Sequence, residues 1–112
     1  MMRKCKITVL KKTFFPELAE EYGAEGIGPC RITEEGQSWI TDFYRMPAGF
    51  CEEAWIAIRH YAFAICHGGA KELFFNDNWV RVPETAICSC NDGLRPVVFK
   101  IEPATPEESQ TS

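Results

Sequence analysis

The segment from Cys51 to Cys66 constrains the fold more than any other part of this 112-residue chain. Its apolar residues recur at alternating spacings of four and three, which places them in one stripe along a helix: Cys51, Trp55, Ile58, Ala62 and Ile65. A second apolar stripe runs beside the first, so the pattern predicts a long and largely buried helix over about 51–66. Such a helix needs a second layer to pack against, and the remaining segments must supply it.

Short strands are predicted on both sides of this helix. Alternation of apolar and polar side chains, or a short apolar run between turn residues, indicates strands at 4–10, 30–33, 37–43, 85–90 and 97–102. Asp92-Gly93 is typical of a tight hairpin turn before the last strand. Pro96 indicates that this strand lies at an edge of the sheet or that the proline is its first residue.

The order of the elements predicts the fold class. Pro16 begins a short N-terminal helix that Gly23 ends. We therefore expect a small α+β protein, a single domain over 1–102, whose mostly antiparallel sheet packs on the one long buried helix. Residues 103–112 are polar and lack apolar anchors, which predicts a disordered tail.

Charge and hydropathy exclude some classes of function. The formal net charge is −4, so no global attraction to nucleic acid is expected. The basic residues within 1–12 alternate with apolar ones, as on a solvated strand face. No apolar run approaches the ~18 residues of a membrane span, and no signal segment is visible. We expect a cytoplasmic protein.

Six cysteines carry most of the chemical information. In a reducing compartment they are thiols or metal ligands rather than a disulfide framework. Cys88 and Cys90 point to the same face of a strand, with Cβ atoms roughly 6–7 Å apart, a spacing that suits zinc or an iron–sulfur cluster. Cys30 follows a glycine-rich loop, and Cys51 begins the long helix, where the helix dipole favours a thiolate.

Each of these residues also has a structural interpretation. Free cysteine is often buried as a small apolar side chain, which suits Cys5 and Cys66 best. Asp92 fits the chemistry of a tight turn. Arg95 fits an ion pair with a carboxylate such as Asp92, a contact with a partner subunit, or an anionic ligand.

The chain resembles a family of short bacterial and archaeal proteins, often found in anaerobes, for which no activity is assigned. The resemblance runs in order through "KITVLK", "ELAEEYG", "GPC", "EGQ", "GFC" and "CNDGLRPVVFKIE", from about Lys6 to Glu102. Its most specific pieces are "GFC" and "DGLRPVVFK". It supplies no reaction.

The resemblance does separate the cysteines. It implies that Cys30, Cys51 and Cys90 fall on cysteine-bearing positions of the family, whereas Cys5 and Cys66 do not. The chain departs from the family at the turn. Where the family has adjacent cysteines before Thr-Asp-Gly, this chain has Ser89-Cys90 before Asn-Asp-Gly, and Cys88 stands one place earlier.

Three functions remain open from the sequence. The first is a metal site of Cys30, Cys51 and Cys90, with Cys88 as a fourth member, binding zinc or an iron–sulfur cluster in an accessory or small subunit of a larger redox enzyme. The second is a metal-free interaction module, with a protein partner or a second copy bound by Arg95 and an aromatic loop of Phe74, Phe75 and Trp79. The third is a thiol enzyme with Cys51 as nucleophile.

Overall fold

The computed structural model describes residues 3–69 and 79–110. The predicted aromatic loop falls largely on residues 70–78, outside this part of the chain. The elements in chain order are β1 (Cys5–Lys12), α1 (Pro16–Tyr22), β2 (Ser38–Thr41), α2 (Glu52–Cys66), β3 (Ala86–Ser89), β4 (Val97–Pro103) and α3 (Pro106–Gln110).

Four antiparallel strands form a sheet in the order β2-β1-β4-β3, and the mixed α+β class predicted from the sequence is confirmed. β1 and β4 are the two central strands and pair along almost their whole length. Their register shifts between Val9 and Lys11, which marks a bulge at Leu10. β4 is a central strand that begins at Val97, so Pro96 directly precedes it and is neither in an edge strand nor the first strand residue, the two positions predicted for it.

The core lies between one face of this sheet and one face of α2. Alternate residues of β1 and β4 are almost completely buried, among them Ile7, Phe99 and Ile101. From α2, Ile58 and Ile65 meet them with no exposed surface. The apolar residues at every second position of the strands and those at three- and four-residue spacings in α2 therefore meet at the same interface, as the sequence predicts.

The helix is not buried on both sides. Ile56 is 64% exposed and Phe63 is 47% exposed. The predicted long helix is present, but its burial is less complete than the sequence predicts. In the described chain the sheet packs against only one side of α2, and the opposite apolar residues face outward. No described helix is long and apolar enough to cross a membrane.

Two further segments differ from the sequence prediction. Residues 30–33 form no strand; they belong to an irregular loop whose end joins β1, where Gly36 N–H donates to Val9 O at 2.8 Å. The polar tail continues β4 as far as Pro103 and then forms α3. Lys6 Nζ forms an ion pair with Glu108 Oε2 at 2.7 Å, and Lys4 Nζ donates to Ser109 O. These contacts with lysines at the start of the chain hold α3 without apolar residues.

Two isoleucines of α2 provide a matched test of the one-sided packing. Ile58→Ala is expected to lower the free energy of unfolding by about 2–5 kcal/mol, because it leaves a cavity against the sheet. Ile56→Ala, two residues away on the exposed side, is expected to change it by no more than about 0.5 kcal/mol. Chemical denaturation measures both, and equal losses would contradict the described orientation of α2.

Candidate functional site

Three of the predicted cysteines, Cys30, Cys51 and Cys90, line one pocket of about 170 Å³. We call this the thiol pocket; its other lining residues are Ile32, Glu53, Asp92 and Arg95. Two larger surface depressions, each about 440 Å³, lie beside α1 and beside β3, and no cysteine or histidine lines either. The thiols therefore meet at a specific place in the fold.

Cys51 is placed by the residues just before α2. Gly49 adopts a positive φ of 79°, which glycine tolerates without strain. The resulting turn directs Phe50 into the core, where its ring lies 4.7 Å from that of Trp39 and 5.5 Å from that of Phe99. Cys51 follows as the N-cap residue of α2, and its side chain makes no capping hydrogen bond, so the sulfur remains available to the pocket.

Cys30 is held by the loop that the sequence predicts as a strand. The backbone N–H of Ile32 donates to Cys30 Sγ at 3.4 Å, and the hydroxyl of the buried Thr33 lies 3.8 Å from the same sulfur. The loop therefore holds the sulfur of Cys30 through two hydrogen-bond donors. In a paired strand, the N–H of Ile32 would bind a neighbouring strand. In the irregular loop it donates to the sulfur instead.

Cys90 lies one residue beyond β3, at the mouth of the β3–β4 hairpin. Its own N–H donates to Val97 O, while Val97 N–H donates to Cys90 Sγ at 3.3 Å. The connection between them spans residues 91–96 and is longer than the tight Asp92-Gly93 turn predicted from the sequence. The predicted hairpin is present. In the residue pair that closes it, Cys90 and Val97, the N–H of Val97 donates to a sulfur instead of a carbonyl oxygen.

Asp92 and Arg95 organise this connection. Asp92 Oδ1 accepts the N–H groups of Leu94 at 2.9 Å and Arg95 at 3.1 Å, and Arg95 Nε donates to Asp92 Oδ2 at 3.0 Å. Burial alone would raise the pKa of Asp92, but these hydrogen bonds outweigh it and hold the pKa below its ordinary value. Of the roles open to Arg95, the ion pair with Asp92 is present in the structure.

Cys88 does not line the thiol pocket. It pairs with Phe99 across β3 and β4 and packs against the hydrophobic core. Burial raises the pKa of its thiol to about 12, which keeps it neutral at physiological pH. Cys90 also packs against the core, so the two cysteines of this strand face differ in that only Cys90 lines the pocket.

Glu53 and Ile32 also line the pocket, and the sequence did not single them out as site residues. Glu53 lies within the first turn of α2, two residues after Cys51, and this spacing is the only signal that could have indicated it. Across residues 3–69 and 79–110, no hydrogen bond or ion pair engages its carboxylate.

The pocket is not arranged around a single ion. In the described residues, no group of three or more histidine, cysteine, aspartate or glutamate side chains is placed so that it could hold one metal ion. Three thiols share a cavity, but they do not converge on a common point at the short distances that a zinc ion requires.

Comparison with other proteins gives no relative from which a role could be transferred. No family model matches the chain, and neither the curated proteins nor the solved structures include a match. Membership of the family that the chain resembles stays a prediction.

The pKa of Asp92 leads to a test of the 91–96 connection. Its folded pKa lies below the unfolded value near 3.8, so its stabilising contribution is present at neutral pH and is lost as the pH falls through the folded pKa. Asp92→Asn is expected to lower Tm at pH 7, and the gap to the wild type should narrow below pH ~4.

Arg95→Gln provides the control for this test. It removes the partner of Asp92, so its effect on Tm should resemble that of Asp92→Asn, and the two changes together should cost less than their sum. A gap in Tm that is independent of pH, or fully additive losses, would contradict the described pairing.

Proposed function

We propose that the thiol pocket binds a metal–sulfur centre, and that an iron–sulfur cluster fits it better than a single zinc ion. The observation that carries the proposal is the convergence of Cys30, Cys51 and Cys90, from three separate segments of the chain, on one cavity. Soft thiolate ligands select zinc and iron–sulfur clusters among biological metal centres. If the cysteines were buried only as apolar side chains, there would be no reason for three of them to line the same cavity.

The surroundings of the sulfurs supply hydrogen-bond donors and one helix N-terminus. Cys30 and Cys90 each accept a backbone N–H, and Cys51 lies at the positive end of a 15-residue helix. Hydrogen bonds to ligating sulfurs are also among the features that set the reduction potential of iron–sulfur clusters. The same donors would therefore tune the reduction potential of a bound cluster.

Size distinguishes the two centres. A water molecule needs only about 10–15 Å³ of cavity volume, and a zinc ion is no larger, whereas the thiol pocket measures about 170 Å³. A cluster contains several iron and sulfide atoms between its cysteine ligands, so it spaces these ligands farther apart than one ion does. Thiols that share a cavity without converging on one point fit that requirement.

The ligand set would consist of the three cysteines and one further donor. Asp92 is unsuited to this role because both of its oxygens already accept hydrogen bonds. Glu53 lines the pocket with an unengaged carboxylate, so it is the chain's own candidate for the fourth ligand. When bound, such a cluster supplies one-electron transfer.

An accessory role is supported by the position of the pocket, whose lining includes the exposed Ile32. A cluster in a pocket near the surface of a 112-residue protein can exchange electrons with a protein docked there. We therefore propose a small electron-transfer or accessory subunit of a larger redox enzyme. A reducing compartment such as the cytosol would keep the ligand thiols available.

Anaerobic reconstitution with Fe²⁺ and sulfide tests the centre. We expect iron and acid-labile sulfide to be retained together, with the visible thiolate-to-iron absorption of a cluster. Cys30→Ser, Cys51→Ser and Cys90→Ser should each reduce retained iron by at least ~10-fold, since each removes a ligand. Retained iron is measured by elemental analysis after desalting.

Cys88→Ser is the matched control, because Cys88 precedes Cys90 on the same strand face but does not line the thiol pocket. Its iron content should equal that of the wild type. The proposal would be overturned by stoichiometric zinc binding without any uptake of iron and sulfide, or by a Cys88→Ser loss as large as that of Cys51→Ser in a folded protein.

A further inference from the structure

A second pair of thiols lies at the other end of α2 from the thiol pocket. Cys5 is the first residue of β1 and Cys66 is the last residue of α2, and neither side chain has any exposed surface. Cys51 and Cys66 stand about 22 Å apart along the helix axis, from the rise of 1.5 Å per residue. The two thiol sites are therefore spatially separate.

The two thiols of this pair are neighbours at one corner of the core. The pKa of each is shifted chiefly by its interaction with the other, and Cys66 Sγ lies 3.8 Å from the carbonyl oxygen of Thr41, which pairs with Cys5 across β1 and β2. Hydrogen bonds from the backbone and side chain of Arg3 hold this arrangement in place. Arg3 N–H donates to Cys66 O at 2.8 Å, and Arg3 Nε donates to Ile65 O at 3.0 Å, so the start of β1 is tied to the end of α2.

We propose that Cys5 and Cys66 form a site of reversible oxidation, at which a disulfide-containing oxidant joins β1 to α2. In the first step the Cys66 thiolate attacks one sulfur of the oxidant, which forms a mixed disulfide and releases one thiolate. Cys5, once deprotonated, then attacks Cys66 Sγ and releases the second thiolate. The protein loses two electrons and two protons, and the oxidant is reduced to two thiols.

The environment assigns different roles to the two sulfurs. The hydrogen bond to Cys66 and burial both raise the pKa of Cys5, so Cys5 holds its proton. The same hydrogen bond favours the charged form of Cys66 and lowers its pKa, although burial opposes this. Cys66 is accordingly the attacking sulfur, and Cys5 is the resolving one.

Access to the pair requires only local opening. Both residues stand at the ends of their elements, where strands and helices separate at a lower free-energy cost than in the core. Cys5 pairs with Thr41 and Pro103, which are themselves the last residues of β2 and β4. Opening this corner would expose the pair and leave the N-terminal end of α2, with Cys51, in place.

The bond would have a measurable effect on stability. It would close a loop from Cys5 to Cys66, which spans more than half of the chain, and long closed loops restrict the unfolded state strongly. The oxidised protein should therefore unfold at a higher temperature, by roughly 5 °C or more, and a reductant should reverse the shift.

The test uses the wild-type chain and the triple variant C30S/C51S/C90S, which lacks the pocket thiols. Each is incubated with oxidised glutathione, blocked with iodoacetamide and mapped by mass spectrometry. We expect a linked peptide pair containing Cys5 and Cys66 in both proteins. Cys66→Ser should abolish this pair, and dithiothreitol should remove both the link and the rise in Tm.

Two results would overturn the proposal. One is alkylation of Cys5 and Cys66 in unfolded samples of the oxidant-treated wild type, which would show that both had stayed reduced. The other is a preferred link from Cys66 to Cys88 or to a pocket cysteine. Because the wild type gives the same readout, failure of the triple variant to fold leaves the test intact, and the result does not depend on whether the thiol pocket binds iron.

Discussion

The packing of α2 against the core face of β1 and β4 is the contact on which the other features depend. Phe50 enters this interface immediately before the helix begins and contacts the rings of Trp39 and Phe99. Since the ring is buried and the next residue starts the helix, the turn at Gly49 and the core packing of Phe50 together set the position of Cys51. The far end of the same helix carries Cys66 to the start of β1, so one packing interaction places a thiol at each end of α2.

The two thiol sites differ in the partners that the fold gives to sulfur. In the thiol pocket, backbone N–H groups from a loop and a hairpin donate to Cys30 and Cys90, an arrangement that suits the ligand role proposed for them. At the opposite end, Cys5 and Cys66 are buried neighbours, and the disulfide proposed for them rests on that placement. The same residue type is thus suited to two kinds of chemistry by its neighbours alone.

Much of the fold was predictable because its long elements have regular apolar periods. The central strands and α2 follow from these periods, and their burial agrees with them. The irregular parts were not predictable. Residues 30–33 look like a strand, but Ile32 N–H binds the sulfur of Cys30 instead of a neighbouring strand. Asp92-Gly93 looks like a tight turn, but the Asp92 carboxylate binds Leu94 and Arg95 and supports a longer connection. The α3 helix has no apolar signal because its main anchor is an ion pair with Lys6.

The sequence by itself determined the α+β class, the central strands, the helix over 51–66 and the set of cysteines available for chemistry, because local spacing encodes these properties. Only the tertiary structure decided how the cysteines are grouped. Cys30, Cys51 and Cys90 meet in the pocket, Cys88 turns to the core, and Cys5 neighbours Cys66, although long stretches of chain separate most of these partners. Grouping of this kind depends on the order of the strands and the direction of the helix across the sheet, and no local spacing in the sequence records either.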